Sequence, residues 1–283
     1  MPVLIFYTSA VAWLILGTLL AGFVSFKLHT PDLLSDISFL TWGRVRPVHM
    51  NVMVYGWASM AGMGTAIWLM ARLCRTVLRY PLLLVAGAGF WNLGVFLGVC
   101  GILLGDSTGY QWLEFPSYAA IILFVAYTLV ASWAVLMFRF RRGEQIYITQ
   151  WYLLAAFLWF PWLYAAGQLM LFVVPVQGVL QAAVGWWYAN NLLFLWFGAI
   201  GLGTAYYMIP KVIGRPVMRL SFGNDRFLEL RVVLQLDRDA APRRWTVPSL
   251  DGHCKYRGHN PHADSRRDRW AQSSHDDARA ISR

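Results

Sequence analysis

Charge is scarce in this sequence. Asp, Glu, Lys and Arg make up only 13% of its 283 residues, against 58% hydrophobic and 16% aromatic. An ordinary soluble domain carries about twice that charged share, so this class is excluded. Cysteine is nearly as sparse. Cys74, Cys100 and Cys254 are scattered with neither paired nor metal-type spacing, which signals neither a disulfide framework nor a zinc site. Histidine is almost missing from the apolar part, where only His29 and His49 occur. The start lacks a basic n-region and an obvious cleavage site, so the first apolar run is expected to be a retained helix and not a signal peptide. Ionisable groups are missing from the middles of the apolar runs, and no inverted repeat is visible; both absences argue against a transporter.

What is present is a set of six apolar runs, roughly 3–26, 48–71, 82–104, 117–138, 149–174 and 183–209. Each is long enough for a helix to cross a bilayer, which takes about 20 residues. The expected fold is all-α, a polytopic bundle of six transmembrane helices in contact with lipid. Up to Val217 the chain has 11 Lys/Arg and 5 Asp/Glu, and these charges alternate between connections. Arg72, Arg75 and Arg79 follow the second run; Arg139, Arg141 and Arg142 follow the fourth; Lys211 and Arg215 follow the sixth. Asp106 and Glu114 follow the third. Basic excess marks cytoplasmic loops, so the N-terminus is expected inside and the second helix starts at the outer face. The first connection, with Lys27, Arg44 and Arg46 against Asp32 and Asp36, fits this pattern least well. The basic charge reads as orientation, and a nucleic-acid partner is not expected.

The segment WGRVRPVHMNVMVYGW, Trp42 to Trp57, places His49 where the chain enters its second run. A lone interfacial histidine is usually a half-wet hydrogen-bonding group. The alternative is an axial haem ligand, with Arg44 and Arg46 available to haem propionates. Small residues on the same helix (Gly56, Ala58, Ser59, Gly62, Gly64) would let a flat macrocycle or another helix come close. Composition leaves the two readings open.

The segment resembles the second helix of the catalytic subunit of the C-family, cbb-type haem–copper cytochrome c oxidases, which reads G-R-x-R-P-x-H-x-N before a Gly-rich helix. EQIYITQWYLLAAF is similar to the start of that family's fifth helix, and GWWYANNLLFLWFGAIGLGTAYYMIPKVIGRPV to its sixth. The resemblance covers about residues 1–217, half of a twelve-helix subunit. It implies that His49 is an axial ligand of a low-spin haem b. It also implies that Arg44 and Arg46 lie near the propionates, and that Glu114 lies in a propionate or cation region where the family tends to carry two acids; Gln111 stands at the other place here.

The resemblance also exposes a departure. The family's sixth helix reads W-W-Y-x-H-N, with a copper-binding His, where this chain has Trp186, Trp187, Tyr188, Ala189, Asn190 and Asn191. An amide is a poor copper ligand beside imidazole. The copper and the second haem are therefore expected to be absent, and the chain alone to be inactive. The opposing ligand of the haem at His49 belongs to later helices, so that haem would be held by one imidazole. From Met218 the composition turns polar, rich in Arg, Asp, Ser and His. This tail, 218–283, is expected to be disordered or translated out of frame; synonymous codons for residues 236–265 can encode an apolar span one nucleotide later. The expected function is that of a truncated homologue of a respiratory terminal oxidase subunit, with c-type cytochrome subunits as partners in a bacterial inner membrane. The alternative is a non-catalytic scaffold or electron-conduit subunit.

Overall fold

The computed structural model describes residues 1–34, 36–142 and 146–214. The readings of the tail, of Arg215 and of Glu144 lie outside these residues. Six helices are long and apolar enough to cross a membrane: α1 Pro2–His29, α2 Trp42–Leu73, α3 Pro81–Leu104, α4 Ser117–Arg139, α5 Ile148–Val173 and α6 Val179–Ile213. Among the described residues there is no strand. The all-α reading is correct, and the helices match the six apolar runs in number and order.

The boundaries follow local chemistry. Pro81 opens α3 and Pro2 opens α1, where a missing N–H costs nothing because first-turn amides lack helical partners. Gly105, in the left-handed conformation at φ +102°, stops α3, and its amide returns to Ile102 O. The second helix departs from expectation. It begins at Trp42, six residues before the apolar run starts, with Thr41 in extended conformation at its N-cap. Trp42 to Val48 is too polar to score as membrane-spanning, yet nothing in it forbids helix before Pro47. Arg44, Arg46 and His49 therefore ride on one rigid element, and His49 lies about 10 Å along the helix from its start.

Neighbours in sequence pack as antiparallel neighbours in space: α1 against α2, α3 against α4, and α5 against α6. In lipid there is no hydrophobic force between apolar helices, so close packing and hydrogen bonds hold them together. The α3–α4 seam shows how. An added Cβ at Gly87 would lie 2.7 Å from Val130 Cγ2, and one at Gly98 would collide with the Phe115 ring. α2 is the most enclosed span, with 56% of its apolar window buried against 17% for α1. Tyr55 of α2 joins buried aromatics from α3, the α3–α4 connection, α4, α5 and α6: Trp91, Phe115, Tyr127, Phe160, Tyr164, Tyr188 and Trp196. Their rings meet at centroid distances such as 4.3 Å for Phe160–Trp196 and 5.4 Å for Tyr55–Phe115.

A candidate haem-facing site on the second helix

α2 is not uniform. Pro47 lies inside it and removes one amide donor. One turn later Asn51 donates from Nδ2 to Pro47 O at 2.8 Å, competing for the carbonyl that its own amide would use. From Val52 to Ala58 the helix widens into a π segment, and Ser59 Oγ closes it on Val54 O at 2.6 Å. Such widened turns shift the register of everything that follows and often mark functional positions. α5 and α6 contain π segments of their own, Leu169–Val173 and Leu192–Phe197.

His49 is half-buried and faces α1. Its Nδ1 lies 3.0 Å from Gly17 O. That carbonyl can only accept, so Nδ1 is the donor, and in the neutral tautomer with this donor Nε2 carries the lone pair. This is the tautomer that metal-ligating histidines adopt when the second nitrogen is fixed by a backbone carbonyl. α1 and α2 pack closely here: a Cβ on Gly17 would lie 2.6 Å from Met53 Sδ, one turn beyond His49, so a larger residue would displace that flexible side chain. The imidazole is thus oriented through Nδ1 by a carbonyl of α1.

The two arginines divide. Arg44 is half-buried and donates from Nη1 to Leu103 O at 2.9 Å, covering a carbonyl in the last turn of α3. Arg46 is exposed, with its guanidinium 5.3 Å from the Trp42 ring, and its charge reaches Glu114. Glu114 sits in the α3–α4 connection and accepts from Asn51 Nδ2 at 2.9 Å. Burial pushes its carboxyl above the usual carboxylate range, against the opposing pull of the Asn51 amide and the Arg46 charge. The structure therefore brings Glu114, Arg46 and the His49 helix together at one end of the bundle. Gln111, in the same connection, is exposed.

Asn51 is the residue that sequence reasoning passed over. It ends the R-x-R-P-x-H-x-N motif, so its signal was in plain view, but only the folded chain shows it joined to Glu114. It is fully buried, and its Oδ1 has no hydrogen-bond partner. Tyr55, one turn further, was missed for another reason: an aromatic in an apolar run looks like packing. Its hydroxyl donates to Trp112 O and lies 2.7 Å from the Tyr188 hydroxyl, both tyrosines being buried. Trp91 Nε1 donates to Tyr55 O at 2.8 Å. These bonds tie α2 to the α3–α4 connection, to α3 and to α6.

Asn190 lies on α6 two residues after Tyr188. Val184, Tyr188 and Leu192 form the inner stripe of this helix. A two-residue step turns about 200° around a helix, so Asn190 is off that stripe; it is half-buried. α2 and α6 meet through Tyr55 and Tyr188, and not through His49 and Asn190. His29 is exposed at the end of α1. Among the described residues no three His, Cys, Asp or Glu side chains converge as a metal cluster.

Six helices long and apolar enough to cross a bilayer, the second of them carrying His49, Arg44 and Arg46, define a polytopic integral membrane protein. The family model described as Cytochrome C and Quinol oxidase polypeptide I matches residues 1–223, and the chain belongs to that family. It is 30% identical over 221 residues to the cbb3-type cytochrome c oxidase subunit CcoN1 of Stutzerimonas stutzeri, a match covering 75% of this chain and 46% of that protein. It is 28% identical over 225 residues to the cytochrome c oxidase subunit 1 homolog of Agrobacterium tumefaciens strain T37, covering 74% and 40%. A homolog from Azorhizobium caulinodans is 27% identical over 230 residues, covering 76% and 41%. The chain spans less than half the length of each of these relatives. The match runs to residue 223, a few residues beyond the 217 expected from the motifs.

Proposed function

We propose that this chain supplies one wall of a low-spin haem b site in a respiratory terminal oxidase, where His49 would be the residue that holds the haem iron, through Nε2. One observation carries the reading: the Nδ1 contact with Gly17 O fixes the tautomer that leaves Nε2 as a ligand. When bound, the haem supplies one-electron transfer between a donor and an acceptor centre. The residues here orient and tune it. Gly17 holds the ring, Arg46 is the exposed guanidinium available to a propionate, and Arg44 stays engaged with Leu103 O through one of its donors. Glu114, held by Asn51, sits where a propionate or a cation would be met.

The rest of the reading follows the same family membership. Electrons would come from c-type cytochrome subunits, and the membrane would be a bacterial inner membrane with the N-terminus on the cytoplasmic side. In relatives of full length the reduced substrate would be oxygen, with coupled proton translocation. Asn190 at the expected copper position supports a chain that lacks the copper site. That residue also favours a second reading, in which the protein is a scaffold or electron conduit without oxygen chemistry.

A reduced-minus-oxidised difference spectrum of membranes containing the protein tests the first reading. A b-type band is expected, and His49→Ala should abolish it. A colourless preparation, or a band that survives His49→Ala, overturns it. Copper analysis of the same preparation separates the two readings, because stoichiometric copper excludes the scaffold.

A further inference from the structure

Three contacts met in chain order, Tyr55–Tyr188, Gly62–Ile200 and Trp68–Tyr207, show that α2 and α6 run side by side in the same direction and end at one rim. Midway along they touch: an added Cβ on Gly62 would lie 3.5 Å from Ile200 Cδ1. Toward the rim the seam is lined by rings. Trp68 of α2 meets Tyr207 of α6 edge-on, at a centroid distance of 6.0 Å and an interplanar angle of 86°. Each ring carries a cation one turn further on. Arg72 lies over Trp68 at 5.2 Å, and Lys211 lies over Tyr207 at 5.2 Å.

The two cations converge. Lys211 Nζ donates to Tyr207 Oη at 3.3 Å, and the Arg72 guanidinium approaches the same oxygen. One neutral hydroxyl thus gathers two positive charges from two different helices. Holding two long side chains there costs rotamer entropy, and the like charges repel; an anion seated between them offsets both. The group is also open. Arg72 and Lys211 are exposed and Tyr207 is half-buried. Each cation has more N–H donors than this contact uses, and the Tyr207 hydroxyl, accepting from Lys211, keeps its own proton to give.

A guanidinium, an ammonium and a hydroxyl around one point suit a phosphate, whose oxygens accept charge-assisted bonds from several directions. What borders the donors decides where that phosphate comes from. Trp68 and Tyr207 have the apolar body and polar edge of rings that sit at a membrane–water boundary. Tyr206, next along α6, stacks on Tyr152 of α5 at 5.6 Å and 14°. Met208, Ile209 and Val212 in the last turns of α6 are exposed. A free ion gains nothing from such a border. A phospholipid lays its acyl chains along it while its headgroup meets the cations, as at other basic sites between membrane helices.

We propose that the mouth of the α2–α6 seam binds the headgroup phosphate of an anionic phospholipid, with Arg72 and Lys211 as its charged donors and the Tyr207 hydroxyl aligning them. Native mass spectrometry of the purified chain with phosphatidylglycerol or phosphatidylcholine tests this, with inorganic phosphate as competitor. Retention of phosphatidylglycerol over phosphatidylcholine is expected. Arg72→Gln and Lys211→Gln should each weaken it about tenfold or more, and Tyr207→Phe, which keeps the ring and changes no charge, about threefold or more. Arg139→Gln removes the same charge from the same rim outside the cluster and should leave retention unchanged. Equal retention of the two lipids overturns the proposal. A loss in Arg139→Gln as large as in Arg72→Gln, or an undiminished affinity in Tyr207→Phe, does so too by reducing the cluster to diffuse charge. Displacement of the lipid by inorganic phosphate at equal concentration overturns the assignment to lipid. Should a charge variant fail to fold, Tyr207→Phe still decides, and the readout is independent of haem.

Discussion

The Tyr55–Tyr188 hydroxyl pair gives a test of how α2 is held in place, and its magnitude can be worked from the contacts. The Tyr55 hydroxyl has two partners, Trp112 O and the Tyr188 hydroxyl at 2.7 Å, while among the described residues the Tyr188 hydroxyl pairs with Tyr55 alone. Both rings are buried, so no water stands ready to replace a lost bond. Tyr55→Phe strands a carbonyl and a hydroxyl, at about 1–3 kcal/mol for each group left unpaired. Tyr188→Phe removes one bond but leaves Tyr55 donating to Trp112 O, at about 1 kcal/mol. In a Tyr55→Phe background the Tyr188 hydroxyl already lacks its partner, so removing it should cost nothing or give back about 1 kcal/mol. The assay is reversible unfolding in mixed detergent micelles followed by tryptophan fluorescence, run as a double-mutant cycle. Equal single-mutant losses that simply add would refute the shared-bridge geometry and the claim that it couples α2 to α6.

Other consequences are as direct. Gly87→Ala should destabilise the α3–α4 seam by about 1–3 kcal/mol through overpacking against Val130, measured by the same unfolding assay. Glu114 has a folded pKa raised by burial, so the folded state binds its proton more tightly than the unfolded one. Its contribution is then fully present below the unfolded carboxylate value and lost as pH rises through the folded value. Thermal stability in detergent should fall with pH across that window, and Glu114→Gln, which keeps an acceptor for Asn51, should flatten the fall. Arg44→Gln should lower stability by about 1 kcal/mol through loss of the bond to Leu103 O, with the six helices otherwise intact by circular dichroism.

The sequence by itself determined the six spans, because bilayer thickness sets how many apolar residues a helix needs, and that count is local. It also determined which residues carry the family motif, including His49 and the departure at Asn190. It did not determine where α2 begins, since the polar turn before the apolar run becomes helical for reasons unrelated to hydropathy. Nor could it show that Arg44 covers the end of α3 while Arg46 faces Glu114, because two arginines two residues apart look alike in a string and diverge by 200° on a helix. The partners of Asn51, Tyr55 and His49 are 63, 133 and 32 residues away. Hydrogen bonds over such separations are chosen by how helices pack. The orientation of the His49 ring in particular rests on one carbonyl of another helix, that of Gly17. Tertiary structure decided that, through distance and orientation that no local pattern encodes.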